Sequence, residues 1–519
     1  MKGAGRKIRR TLVCLCMLCL CGGINVWAAP ESSNIFPFYE DGDVVGVIGD
    51  SITHVQYGPV SYIEALYHYY LCQFPQRRIE FRNLGTANSK ASDILNIYDQ
   101  DPAFCGLNKA IIMLGMNEAM LKIPVEEYIQ GMEEIVNRLK ADGLDGADIL
   151  VLAPTPYDDT CALNYDRKGN PYRLIDHSLA EFTEHLAQKS VDWGVQYIDL
   201  HTPMVELSQK IQKDNPKNTL TRGDCIHPNI TGQMLIAYYI LAAQGATELE
   251  AETYAVKGEE VHAARGEATD LYWGERGVCW MQRQKSLPAA LTGEFREYID
   301  FFAPAVNLYQ EQLRVEGFPE DNVYSVYMGE AELGSFSGKE LEDGVNLALL
   351  ETHPLQEAAR RLDDISRTLH QKVMDYRGMW IGVATGETEY AEEEFKEAYE
   401  RWRRDDTKLR DEMYALARES IGETFQMAVV ERGYSVQELE QEKLEVKKAA
   451  EEQLVKEAQQ IVRRTAAKRL EKAQKSEIRI FLIIAVILLV TATAGFYIVR
   501  KKKRKERFGS KKSIKYRQR

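Results

Sequence analysis

Between Asp43 and about Gln244 the chain alternates two patterns of apolar and polar positions. Short apolar runs at Val44–Ile48, Ile79–Leu84, Ala110–Leu114, Ile149–Ala153 and Val195–Asp199 read as buried strands. Between them, apolar residues recur at helical spacing over Val60–Gln73, Ser89–Tyr98, Val125–Ala141 and Arg173–Trp193. A last helix is expected over Ile230–Ala243, opened by Pro228-Asn229. Strands alternating with helices pair in parallel through right-handed crossovers, which predicts a three-layer α/β/α sandwich. In such sheets the reactive loops gather at the carboxyl ends of the strands.

The pattern changes beyond this region. Residues 250–350 read as a small β-rich extension, with strands at Leu308–Val315, Val323–Met328 and Ala331–Phe336. Residues 353–478 are helical in period and dense in charge, and predict a stalk. Its apolar positions Leu454, Ala458, Ile461, Leu470 and Ala473 do not keep strict heptads, so a coiled coil is the less defined form of that stalk. Ile480–Val499 then runs twenty residues without a charge, about 30 Å of helix and long enough to span a bilayer. The cluster Arg500-Lys501-Lys502-Lys503-Arg504-Lys505 follows at once, so residues 500–519 are expected to stay cytoplasmic.

Charge makes the ends distinct from the body. The 519 residues carry a net charge of −13, yet the first ten hold five basic groups and no acid. The last twenty hold twelve basic groups and one acid, so the body between is more acidic than the whole. An acidic body repels phosphate backbones, which argues against a nucleic-acid binder. The basic start, the apolar run Thr11–Leu20 and the site Val26-Trp27-Ala28 together predict a signal peptide over residues 1–28. The body is thus expected outside the cell, single-pass and membrane-anchored. Five cysteines remain (Cys72, Cys105, Cys161, Cys225 and Cys279) with no CxxC pair, so no zinc site is indicated.

Three segments carry candidate chemistry. Val44–Ile48 ends in Gly49-Asp50-Ser51, which places a hydroxyl on a tight turn where it can attack a carbonyl if a base takes its proton. In Asp224-Cys225-Ile226-His227, a carboxylate three residues before a histidine can hold Nδ1–H and leave Nε2 for a nucleophile. The run Ile111–Leu114 enters Gly115-Met116-Asn117-Glu118, whose Asn117 amide can donate to an oxyanion. A fourth segment, Asn83-Leu84-Gly85-Thr86-Ala87-Asn88-Ser89, can supply a backbone N–H. Taken singly, each is also an ordinary turn or cap.

In order and content these segments resemble the SGNH (GDSL-type) hydrolase superfamily, over roughly residues 43–245. The resemblance implies a flavodoxin-like parallel sheet in a hydrolase domain at 35–245. Strings Gly338–Leu341 and Gly344–Ala348 are similar to a C-terminal extension of some secreted members, which attaches residues 250–350 to the hydrolase. It further implies Ser51 as nucleophile, His227 as general base and acid, and Asp224 as its orienting partner. The implied oxyanion hole comprises the Ser51 N–H, a second N–H at Asn88 and the Asn117 side chain. Two departures stand out. Ala87-Asn88 replaces the usual Ser-Gly, and Asn tolerates the left-handed backbone that glycine would supply. Glu118 and His54 stand where the family often has Asp and an acidic residue.

The expected activity is hydrolysis of carboxylic esters through an acyl-serine, with no cofactor and no metal. Acetylated glycan is one substrate that the exported location and the family suggest. Lysophospholipase or acyltransferase action on the same triad, or a catalytically inactive binding or scaffold protein, are the alternatives. His68, His177, His185 and His201 lack metal-ligand spacing. Glu392–Arg410 reads as a solvated helix face.

Overall fold

The computed structural model describes residues 36–55, 60–158, 160, 175–274, 277–384, 392–435, 448–449, 451–465 and 467–468. Two compact units divide the chain, residues 1–434 and 435–519. In the second, residues 451–465 form a helix exposed along its length. The expected signal peptide, membrane span and basic tail lie outside the described residues, and among those described no helix is long and apolar enough to cross a membrane.

The first unit begins with β1 (Val44–Gly49), α1 (Ser51–His54), α2 (Tyr62–Gln73), β2 (Glu80–Gly85) and α3 (Ala91–Tyr98). It continues with β3 (Lys109–Met113), α4 (Met116–Leu121), α5 (Val125–Ala141), β4 (Ile149–Leu152) and α6 (Ile175–Trp193). β5 (Gln196–Ile198), α7 (His201–Asp214) and α8 (Ile230–Ala243) complete the domain. The strands pair in parallel in the order β2-β1-β3-β4-β5. β1, β3 and β4 are buried on both faces, which is why they read as continuous apolar runs rather than as alternation. Helices α3, α5 and α6 form one outer layer, and α2 and α8 pack together as the other. In α5, Tyr128, Ile129, Met132, Ile135, Val136 and Leu139 make one buried stripe. Expectation and structure differ at the start of α2. There a capping box fixes the boundary: the Ser61 hydroxyl accepts from Glu64 N at 3.2 Å and the Glu64 carboxylate from Ser61 N at 2.9 Å.

A second core follows. β6 (Glu252–Lys257), β7 (Glu260–Ala264), β8 (Glu267–Gly274), β9 (Gly277–Arg283) and α9 (Gly293–Phe301) lead into it. β10 (Glu311–Val315), β11 (Asn322–Met328), β12 (Ala331–Ser337), α10 (Gly338–Asp343) and β13 (Val345–Asn346) close this stretch. Next come α11 (Gln356–Ala384), α12 (Glu392–Gly422) and β14 (Thr424–Ser435). Sheets β13-β10-β6-β7 and β12-β11-β14-β9-β8 share a core that includes Tyr254, Trp280, Leu313, Val326 and Met427. Because β14 lies between β11 and β9, the β-rich extension expected over residues 250–350 also takes in a strand from residues 424–435.

The stalk expectation needs correcting over residues 356–435. α11 and α12 pack on each other and on α2, and Leu362, Ile365, Leu369, Met413, Ala417 and Ile421 join the main core. Charge density concealed this, because each helix keeps one apolar stripe and several of its charges are themselves buried. Arg377, Asp406 and Arg410 are at most 4% exposed, so Glu392–Arg410 is not simply a solvated face.

Those buried side chains finish the sheet. β2 is an edge strand, whose outward backbone groups need partners. Tyr414 Oη accepts from Ile79 N at 2.8 Å and donates to Ile79 O at 2.9 Å. Arg410 Nη2 donates to Phe81 O at 3.1 Å and Arg377 Nη2 to Leu84 O at 3.3 Å. Near the carboxyl end of the strand, Gly85 N donates to Asn83 Oδ1 at 2.9 Å, and Gly85 O lies 3.1 Å from His54 Nδ1. The helix pair therefore covers this edge of the sheet.

Candidate active site

Ser51 opens α1 directly after β1. The Asp50 carboxylate accepts from Ile52 N at 2.8 Å and caps this short helix, whose end is turned by Val55 at φ 48°. Asp50 is buried, and its carboxyl is pushed up to about 7, chiefly by loss of water, with Glu118 adding in the same sense and the Ile52 N–H opposing. Gly85 lets α1 lie against the end of β2, since a Cβ there would come within 2.8 Å of the His54 Cα and the Thr53 carbonyl carbon. As first residue of the helix, Ser51 has an N–H with no intrahelical acceptor.

The loop before α8 supplies the other two groups. Asp224 Oδ1 accepts from the backbone N–H of Ile226 and of His227, both at 2.9 Å, an Asx-type turn eased by Cys225 at φ 68°. This leaves Asp224 Oδ2 at 2.8 Å from His227 Nδ1, while His227 Nε2 lies 2.9 Å from Ser51 Oγ. Burial alone would raise the Asp224 carboxyl, but the hydrogen bonds from His227 and the two backbone N–H groups outweigh it and hold it down at about 2. Its ionised oxygen fixes the proton on Nδ1 and frees Nε2 to accept from the serine. The site is open, with the His227 and Asp224 side chains 34% and 41% exposed.

The expected oxyanion donors lie on the loops after β2 and β3. Asn88 sits at φ 62° in the turn Thr86–Ser89, closed by Ser89 N to Thr86 O at 3.3 Å. Gly115 at φ 130°, a backbone that strains any side chain, turns β3 into α4. Two residues on, Asn117 Nδ2 donates to Ser89 O at 2.9 Å, which orients the amide and leaves its second N–H free of that bond. Glu118 runs parallel to it, its Oε1 accepting from Ala91 N at 2.8 Å. Two rungs thus join the loops after β2 and β3.

Of the residues singled out in the sequence, Ser51, His227 and Asp224 meet in one chain of hydrogen bonds, and Asn88 and Asn117 lie on loops at the same sheet edge. His54 turns away from them toward Gly85 O, and burial pushes its pKa down. Sequence reasoning missed Arg377, whose Nη2 donates to Thr86 Oγ1 at 2.8 Å. A separate cavity between α2, α8, α9 and α11, lined by Glu64, His68, Tyr238 and Tyr298, does not include the Ser51 group.

A serine relayed through imidazole to a carboxylate, at the carboxyl edge of a parallel sheet, is the constellation of a serine hydrolase. Residues 47–235 match the GDSL-like lipase/acylhydrolase family. No curated protein matches the chain. Among solved structures, a gut microbial diltiazem-metabolizing enzyme is similar with a TM-score of 0.63 at 19% identity, covering 77% of this chain and 100% of its own. The shared fold therefore reaches well past the hydrolase domain. An acetylxylan esterase from Geobacillus stearothermophilus is similar at 18% identity, covering 40% of this chain and 95% of its own, with a TM-score of 0.33. An α/β hydrolase from the metagenome of Lake Arreo, Spain, reaches 20% identity over 41% of this chain and 98% of its own, with a TM-score of 0.31.

Proposed function

We propose that the chain hydrolyses carboxylic esters through an acyl-serine on Ser51. The Ser51 hydroxyl attacks the ester carbonyl while His227 Nε2 takes its proton, and Asp224 stabilises the imidazolium. The Ser51 N–H, the Asn88 N–H and the Asn117 amide receive the oxyanion. His227 then protonates the leaving alcohol, and water, deprotonated by the same imidazole, releases the acid. The observation that carries this reading is the unbroken Asp224–His227–Ser51 chain, 2.8 and 2.9 Å per step.

Exposure supports one substrate class. With both the base and its partner about one-third or more exposed, the triad is suited to an ester on a bulky alcohol rather than one drawn into a deep tunnel. Acetyl groups on carbohydrate fit that description. The basic, apolar N-terminus and the uncharged run Ile480–Val499 with its basic flank support export and tethering, with residues 500–519 in the cytoplasm.

The test is release of p-nitrophenol from p-nitrophenyl acetate by the full chain in detergent, beside Ser51→Ala. Activity in the first and none in the second supports the reading; equal rates remove Ser51 from the mechanism. Acetate release from acetylated xylan, fatty acid release from lysolipids, or a transesterified product then separates esterase, lysophospholipase and acyltransferase.

A further inference from the structure

Arg377 lies on α11, outside the matched span of residues 47–235, yet it reaches the loop that carries an oxyanion donor. Its guanidinium is 1% exposed. Nη1 donates to the Asp101 carboxylate, itself fully buried, and Nη2 donates to Leu84 O at 3.3 Å and to Thr86 Oγ1 at 2.8 Å. A buried arginine is costly unless paired, and here the Asp101 carboxylate pairs with it while Nη2 is spent on the end of β2 and the residue after it.

Thr86 is where that investment has a chemical consequence. Its N–H is tied to Gly49 O at 2.9 Å, two residues before the nucleophile, and its carbonyl closes the turn through Ser89 N. Inside that turn Asn88 holds a left-handed backbone. Ser89 O in turn orients Asn117 Nδ2. With Thr86 gripped at its hydroxyl by Arg377 and at its backbone by Gly49 and Ser89, the turn has little freedom to rotate.

We propose that Arg377 is a positioning residue for ester hydrolysis: through Thr86 it fixes the Thr86–Ser89 turn, and so the Asn88 N–H and the Asn117 amide, against the oxyanion. The inference rests on the reading of Ser51 as nucleophile. A misaligned donor weakens the transition state while leaving ground-state binding nearly intact, so the loss falls on kcat rather than KM.

The experiment uses the full chain with p-nitrophenyl acetate and a methylphosphonate ester as tetrahedral mimic, comparing wild type, Ser51→Ala, Thr86→Val, Thr86→Ser and Arg377→Lys. Thermal melting by circular dichroism confirms that each is folded at the assay temperature. Thr86→Val is expected to lower kcat on the order of tenfold to a hundredfold, short of the loss of a whole donor, with KM within about threefold. Phosphonylation of Ser51 slows in parallel. Thr86→Ser, which keeps the hydroxyl, recovers most of the activity. Arg377→Lys keeps the charge but not the fork and falls between them.

If folded Thr86→Val and Arg377→Lys keep wild-type kcat while Ser51→Ala is inactive, the inference is overturned and the Ser51 reading stands. If Ser51→Ala equals wild type, both fall. A change confined to melting temperature also overturns it.

Discussion

Replacing Asp224 by Asn separates two roles that one carboxylate could serve. Its Oδ1 accepts two backbone N–H groups at 2.9 Å, and its Oδ2 holds His227 Nδ1 at 2.8 Å. An asparagine keeps an oxygen for the backbone but turns an NH2 toward the ring. Nδ1 must then become the acceptor, which moves the proton to Nε2 and blocks it from receiving the serine proton. Wrong-tautomer substitutions of this kind lower kcat on the order of 10⁴-fold, about 5 kcal/mol of transition-state stabilisation. The stability cost is far smaller. The carboxyl is held at about 2 against an ordinary 3.8, a difference worth about 2.5 kcal/mol before screening. Since the side chain is 41% exposed, about 1 kcal/mol or less remains. Because the folded value is the lower one, this contribution is complete above the unfolded pKa near 4 and disappears as pH falls through about 2. Steady-state hydrolysis of p-nitrophenyl acetate at pH 7.5, paired with urea unfolding, reads both quantities. A folded Asp224→Asn protein with kcat within tenfold of wild type would refute the relay.

Further outcomes follow from the same geometry. Asn117→Ala removes the oriented Nδ2 donor and should lower kcat about 10²- to 10³-fold with little change in KM. Burial pushes Asp50 up to about 7, so its ionisation opposes folding: stability should fall as pH rises from about 4 to about 7 and then level off. Asp50→Asn should flatten that slope, by at most on the order of 4 kcal/mol, as read by urea unfolding at pH 5 and pH 8; an unchanged slope contradicts the assignment. Deleting residues 356–435 strips the cover from β2 and removes β14 from between β11 and β9, so the remainder should fail to give a cooperative thermal transition. A soluble, cooperatively melting deletion would mean that these residues are dispensable.

Local pattern carried much of the first domain. α5 and α8 span Val125–Ala141 and Ile230–Ala243 as the periodicity indicates, and the five strands lie within a residue or two of their apolar runs. Ser51, Asp224 and His227 were legible because each sits where a strand or a loop meets a helix, with spacing that fits one chemistry. What escaped was non-local. Arg377 and Leu84 O are 293 residues apart, and no period or spacing links them. The same holds for β14, which pairs with β9 across well over a hundred residues. In α11 and α12 the charges that suggested a free stalk are in part the groups that satisfy an edge strand.

The central claim is that Ser51 is made nucleophilic by His227. Its most direct test is labelling the folded full chain with a fluorophosphonate and mapping the adduct by peptide mass spectrometry. The account predicts a single adduct on Ser51, absent in Ser51→Ala and strongly slowed in His227→Ala. No adduct on the folded wild type, or one on another residue, would contradict it.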